Sequence, residues 1–293
     1  MRLYRSSDED SARWEGFPFR TGDIVISTRT KHGTTWMQMI CLLLVHRDPE
    51  LPAPLAELSP WLDWRVEDRA EVMARLDGQH HRRVIKTHTP LDGVPADDRA
   101  TYVVVGRHPL DAAVSLRHQG DNLDRSRMAE LSGEPAPQTI SSGGRTGPVP
   151  EWLGRWIADD ADPVEHLDSI CGVFHHLGDA WARRDAPNVI LMHYQDLIDD
   201  LPGEMRRLAG ALDIDVGDDE LARLVEAARF DHMQAHAGRF APDRLGVLKD
   251  PAAFFRTGRS GEGRTVASAE DVARYLGRAA QLGPADLLEW LHR

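Results

Sequence analysis

Four short apolar runs punctuate the chain: Asp23–Thr28 (DIVIST), Arg83–Thr87 (RVIKT), Thr101–Val105 (TYVVV) and Asn188–His193 (NVILMH). The second and third are β-branched runs without polar alternation, as expected of strands covered on both faces. The stretch Trp36–Val45 is apolar all round and predicts a buried helix, ended by His46-Arg47-Asp48-Pro49. Apolar residues at helical spacing predict further helices over Val66–Leu76, Leu110–His118, Val164–Arg184, Leu197–Leu212, Asp219–Ala228 and Val266–Leu282. Pro109 suits the first turn of the Leu110 helix. Residues 50–64, rich in Pro and Trp, read as loop. Residues 131–150, crowded with Gly, Pro, Ser and Thr and lacking an aromatic residue, read as a mobile loop, a candidate lid. No internal repeat is visible. Strands separated by helices predict one α/β domain over residues 1–293, with a central parallel sheet flanked by helices.

Composition narrows the partners. The 293 residues carry 35 Lys+Arg against 47 Asp+Glu, a net charge of −12, which argues against a nucleic-acid binder. A local basic pocket for a small anion stays compatible with it. Only two cysteines occur, Cys41 and Cys171, so a disulfide scaffold is excluded and a reduced, cytoplasmic protein is expected. The start, MRLYRSSDED, has no apolar signal core, and the longest apolar run, Met39–Val45, is far short of a membrane span. No integral membrane association is therefore expected.

In a parallel α/β sheet the chemistry sits at the carboxyl ends of the strands, and four motifs lie there. The first, Thr28-Arg29-Thr30-Lys31-His32-Gly33-Thr34-Thr35-Trp36, joins a strand to a helix. Gly33 permits a tight turn, the helix amides attract an anion, Thr34 and Thr35 add hydroxyls and Lys31 adds a charge. The lysine precedes the glycine and no Gly-Lys-Ser/Thr follows, which departs from a Walker A loop. A plain helix cap is the alternative. The second, Ile85-Lys86-Thr87-His88-Thr89-Pro90, sets a lysine and a histidine on one side of an extended chain. His88 reads as a general base or as a hydrogen-bonded core histidine. In the third, Gly106-Arg107-His108-Pro109, Arg107 offers a planar fork to a phosphate or pairs with a surface carboxylate, and Ser115 follows on the next helix. The fourth, residues 254–264, is a Gly-rich loop with three arginines, an anion clamp or a solvated basic connector.

Taken in order, the four motifs resemble those of the cytosolic-type sulfotransferases that use 3′-phosphoadenosine 5′-phosphosulfate (PAPS). The resemblance runs from about Gly22 to Arg264. Ser59-Pro60-Trp61-Leu62-Asp63, the run from His81 to Gly93 and the ending Pro284-Ala285-Asp286-Leu287-Leu288-Glu289-Trp290-Leu291-His292 look like a narrower group, the actinobacterial glycolipid sulfotransferases. The resemblance implies a P-loop-NTPase-like sulfotransferase fold, PAPS as sulfuryl donor and 3′-phosphoadenosine 5′-phosphate (PAP) as product. It implies a 5′-phosphosulfate loop of Lys31, His32, Gly33, Thr34, Thr35 and Trp36, with Lys31 on the bridging oxygen and Trp36 on the adenine. It places Arg107 and Ser115 on the 3′-phosphate, and Tyr194 and Phe230 on the adenine. It makes Arg256, Thr257 and Gly258 the clamp on the 3′-phosphate and counts Phe254 among the cofactor-binding residues. It assigns His88 as catalytic base and Lys86 as the charge-stabilising lysine. The chain departs from the family at Arg29-Thr30, where Tyr-Pro is common, at His32, at Thr257 in place of a lysine, and at Glu262-Gly263-Arg264 in place of Asp-Trp-Lys. No convincing copy of the family's dimer motif is found, so oligomeric state stays open.

These residue types suit in-line sulfuryl transfer. His88 takes the acceptor proton, and Lys31 and Lys86 neutralise growing negative charge. The leaving phosphate needs no acid, and no metal is implied: His80-His81 and His175-His176 are adjacent pairs, not spaced ligand sets. A phosphotransferase using ATP and magnesium would want an acidic ligand at a strand end. A non-catalytic nucleotide binder would not need His88 beside Lys86. Phe17, Phe19, Trp61, Trp64, Trp152 and Trp156 are candidate walls of an apolar acceptor pocket. Such walls fit a phenol, a steroid or the lipid of a glycolipid, and the narrower resemblance favours the glycolipid.

Overall fold

The computed structural model describes residues 1–6, 8–132 and 147–293. Four parallel strands, β1 (Ile24–Ser27), β2 (Val84–Thr87), β3 (Thr101–Gly106) and β4 (Val189–His193), lie in the order β2-β1-β3-β4. Ile24 pairs with Val84 on one side and Thr101 on the other, and Val103 with Ile190. Alternate residues feed two cores. Ile24, Ile26, Val84, Val103, Val105 and Met192 pack on one face. Val25, Ile85, Tyr102 and Val104 pack on the other. This is why the strands carry no polar alternation. Chain order reverses about β1, which connects to β2 on one side while β3 lies on the other. The loops after β1 and β3 therefore diverge, opening a crevice at the strands' carboxyl ends.

The helix α1 (Thr34–His46) is buried from Thr34 to Leu44, as its all-round apolar sequence requires. The expected helix Leu110–His118 extends over Pro109–Asn122, and Asp219–Ala228 is matched from Asp218; four others start late or divide, each at a polar cap. The Val66 helix starts at Arg69, because the Asp68 carboxylate accepts from the Ala70 and Glu71 amides. The expected helix over Val164–Arg184 spans only Ile170–Ala182, with Ser169 accepting from the Gly172 amide. That shift leaves Asp168 outside the helix. The expected helix from Val266 begins at Ala269, capped by Ser268. The expected helix Leu197–Leu212 is two helices, Tyr194–Asp199 and Leu201–Ala211, divided where Asp200 accepts from the Gly203 amide at 2.9 Å. Asp200→Ala is expected to cost about 1 kcal/mol of stability, the usual worth of such a cap, read by urea unfolding.

The expected loop 50–64 contains one helical turn, Leu55–Leu58. Helices Arg125–Ser132 and Val149–Ile157 enter the segment read as loop 131–150; the candidate lid falls mostly on residues 133–146, outside those described. Cys41 and Cys171 are both free thiols. Among the described residues no helix is long and apolar enough to cross a membrane, and no group of three or more His, Cys, Asp or Glu side chains is placed to hold a metal ion.

Candidate active site

The chain leaves β1 through Thr28 and turns back on itself at Lys31, a non-glycine residue at φ 69°, and at Gly33, φ 102°. Gly33 precedes α1 without a side-chain cap, so the first amides of α1 face the crevice unpaired by any cap. A Cβ on Gly33 would stand 2.9 Å from the Tyr194 ring, so backbone and ring meet here as only glycine allows. The Thr28 and Thr34 hydroxyls share a hydrogen bond under the loop.

Arg107, at the exit of β3, ties three segments. Its Nη1 donates to the Lys31 carbonyl (3.0 Å) and its Nη2 to the Arg259 carbonyl (3.1 Å), while its guanidinium lies 4.2 Å from the Tyr194 ring centre. The buried Nε has no partner. Asp111 fastens the C-terminal loop by accepting from the amides of Gly261 (2.7 Å) and Gly263 (2.6 Å). Trp36 donates to the Ala228 carbonyl and sets its ring edge-on to Tyr194. Gly258, at φ 60°, sits so close to Phe230 that a Cβ would be 2.5 Å from the ring. Lys31 Nζ rests 4.1 Å from the Phe254 ring centre. Arg256 is held by both Glu262 oxygens.

At the exit of β2, Lys86 Nζ lies 3.9 Å from the Trp61 ring centre, and Trp61 stacks on Trp64. Burial lowers the Lys86 ammonium to about 8, against the pull of Glu9 and Asp63. His88 stands edge-on to Trp61, its Nδ1 2.5 Å from the Thr28 carbonyl. A carbonyl only accepts, so Nδ1 carries the proton and Nε2 is the acceptor nitrogen. Burial first, then Lys86 and Arg29, hold His88 well below the usual imidazole range, so the ring is neutral at pH 7.

One cavity is lined by Lys31, Gly33, Thr34, Thr35, Trp36, Lys86, His88, Arg107, Ser115, Tyr194, Phe230, Phe254, Arg256, Thr257, Gly258, Trp61 and Trp64. All seventeen stand among the residues expected from sequence to bind or react, with Lys31 serving both ends of that expectation. The other five expected residues, His32, Phe17, Phe19, Trp152 and Trp156, go elsewhere. The His32 imidazole is fully buried outside the lining, bonded to the Thr30 carbonyl, and burial pushes it down to about 3. It supports the loop from beneath. Phe17 and Phe19 pack with Trp14 in the core on the opposite face of the sheet from α1, because their segment runs beside Arg83 and not the strand ends. Trp152 and Trp156 join the same core. Sequence reading missed Glu9, Gln38, Asp168 and Arg244, as well as the apolar wall of Leu55, Met128, Val247 and Leu248. Glu9 belongs to an acidic run that reads as solvated, yet it is buried, and burial lifts its carboxyl to about 7.

The parallel sheet thus carries a cationic turn after β1, an arginine after β3 and a neutral histidine at the end of β2, all at one set of strand ends. Residues 21–265 match the model of the sulfotransferase domain, and the chain belongs to the sulfotransferase family. It is 39% identical to a glycolipid sulfotransferase of Mycobacterium bovis BCG, covering 99% of this chain and 94% of that one. A glycolipid sulfotransferase of Mycobacterium tuberculosis H37Ra is matched to the same extent. Human sulfotransferase 2B1 is 27% identical over 74% of this chain and 53% of its own. The fold is shared with mouse sulfotransferase SULT7A1 solved with PAP, at TM-score 0.71 and 19% identity, covering 96% of this chain and 92% of that one. It is shared also with retinol dehydratase solved with androsterone and PAP, at TM-score 0.69 and 20% identity, covering 92% and 83%.

Proposed function

We propose that the protein transfers the sulfuryl group of PAPS to a hydroxyl of a glycolipid, with His88 as base and residues 1–293 acting as one catalytic domain. The observation that carries this reading is the contact between His88 Nδ1 and the Thr28 carbonyl. Nδ1–H is committed to the Thr28 carbonyl, which leaves Nε2 to accept a proton in a side chain that lines the cavity. The residues fit the donor: the unpartnered Arg107 Nε, the uncapped start of α1 and the close approaches at Gly33 and Gly258 suit an anionic nucleotide.

When bound, PAPS supplies an activated sulfuryl group on a phosphate leaving group. Lys31, Thr34 and Thr35 hold the 5′ end, and Arg107, Ser115, Arg256 and Gly258 the 3′-phosphate. Arg256 reaches that phosphate only by leaving Glu262, and Thr257 supplies a hydroxyl where the family's lysine would supply a charge. Trp36, Tyr194 and Phe230 contact the adenine. His88 Nε2 removes the proton of the acceptor hydroxyl. Lys86, held against Trp61, offers charge to the oxygens on which it builds. Trp61, Trp64, Leu55, Met128, Val247 and Leu248 supply apolar walls for a lipidic acceptor, and the similarity to glycolipid sulfotransferases supports a glycolipid over a phenol or steroid.

Calorimetric titration with PAP, against ATP plus magnesium, tests the donor. Metal-independent binding of PAP and weak binding of ATP are expected. Tighter ATP–magnesium binding, or no binding of either, overturns the reading. Mass spectrometry of a neutral glycolipid incubated with enzyme and PAPS then tests the acceptor, with a phenol and a steroid in parallel.

A further inference from the structure

We propose that Arg29 is a positioning residue for the base, clasping His88 to the exit of β1 and, through Glu9 and Asp168, to the wall of the acceptor cavity. The inference rests on the sulfotransferase reading above.

The clasp runs in both directions between two strand exits. The peptide joining Thr28 to Arg29 accepts the Nδ1–H of His88. The Arg29 guanidinium returns a bond from Nη1 to the carbonyl of His88 itself. His88 is thus held at its ring and at its backbone by the same dipeptide. Either bond alone leaves a rotation free; together they fix the direction of Nε2.

Both terminal nitrogens of the guanidinium also reach carboxylates, while its buried Nε has no partner. Nη2 donates to Asp168 at 2.5 Å, and Nη1 lies 3.4 Å from Glu9. Arg29 is 1% exposed, and Glu9 and Asp168 both line the cavity. Glu9 arrives from the N-terminal segment, seated by a bridge to Trp64, whereas Asp168 arrives from the turn before helix Ile170–Ala182. An arginine this deeply buried needs both carboxylates to offset its desolvation. Its planar fork reaches three partners at once, and a lysine's single ammonium does not reproduce that geometry. The base and two acceptor walls from distant parts of the chain are therefore set by one side chain.

The charged and titratable groups facing His88 are Lys86 from β2, Arg29, Asp168, Glu9 behind Arg29, and His176 from helix Ile170–Ala182. Lys86 and Arg29 lower the His88 pKa and Asp168 raises it. This gives the test a readout that general loosening of the fold would not reproduce. Arg29→Lys keeps the charge and loses the fork. Its kcat is expected to fall 10- to 100-fold, the usual cost of removing a group that orients a reacting side chain. The acid limb of its kcat/KM profile stays in place, and PAP affinity stays within about threefold. Arg29→Met removes the charge, so the limb moves to higher pH. Asp168→Asn preserves shape, folds if the arginine variants do not, and moves the limb to lower pH.

Wild-type kcat in Arg29→Lys overturns the proposal, as does a fall in PAP affinity that matches the fall in kcat. If only Asp168→Asn folds, an unmoved limb overturns it. A wild-type enzyme that neither binds PAP nor transfers sulfuryl overturns the underlying reading instead, so the two failures are separable.

Discussion

Replacing His88 by alanine is expected to lower kcat about 10³-fold, within the range that a positioned general base contributes. PAP affinity should remain within about threefold of wild type, since the residues proposed to bind the donor lie on the exits of β1, β3 and β4 and within residues 230–258, not beside His88 at the end of β2. The ring takes a proton on Nε2 only, because Nδ1–H is already donated. His88→Gln, which offers an amide oxygen but a far weaker base, should not restore the rate. An alanine variant with wild-type kcat would remove the base from the mechanism. The pH profile carries the same point with a definite sign. His88 is held below its ordinary range, so its neutral form persists as pH falls through 6.5, and the acid limb of kcat/KM lies below that value. Lys86 is lowered to about 8, so its ammonium is lost as pH rises through about 8, and the alkaline limb is expected there. Lys86→Met should abolish that limb as well as slow the reaction.

How much of this was legible before the structure depends on what kind of signal each residue leaves. Strands covered on both faces and the all-apolar α1 are strong patterns, and their positions agree with expectation to within two residues at each end. Longer helices were overrun, because apolar spacing continues through Asp200, Ser169 and Ser268 while their side chains bind backbone amides and stop the helix. Strand-end cations stood out because Lys31, Lys86 and Arg107 follow β-branched runs, where a charged residue has few reasons to be. Phe17 and Phe19 show the opposite case. An aromatic residue in a loop gives no sign of which face of the sheet receives it, and these pack with Trp14 away from the cavity. His32 sits inside the cationic loop, yet its ring points into the core and stays neutral. Glu9 was hidden by its neighbours: Asp8-Glu9-Asp10 reads as a solvated run. Only the tertiary pairing with Arg29 explains its burial. Arg29 itself carried a signal, as a departure from the family's Tyr-Pro, but the sequence offers no partner for it. Its carboxylates come from 20 residues before and 139 residues after.

Replacing Arg107 by lysine is expected to weaken PAP binding about 10²-fold, the loss of one or two charge-assisted hydrogen bonds in a buried site. The substitution keeps the positive charge, so what it removes is the fork. In the protein that fork already spans from the Lys31 carbonyl to the Arg259 carbonyl, with the face of the guanidinium against Tyr194. A lysine ammonium meets one of these carbonyls, leaving Lys31 at its positive φ with less to hold it. Two effects then need separating: direct loss of a phosphate contact and loosening of the loop after β1. Adenosine 5′-phosphate, which lacks the 3′-phosphate, separates them in a parallel titration. If Arg107 contacts the 3′-phosphate, Arg107→Lys lowers PAP affinity far more than adenosine 5′-phosphate affinity. Parallel losses would instead make Arg107 a support for the loop, and would leave Ser115 and Arg256 as the residues that distinguish the two nucleotides.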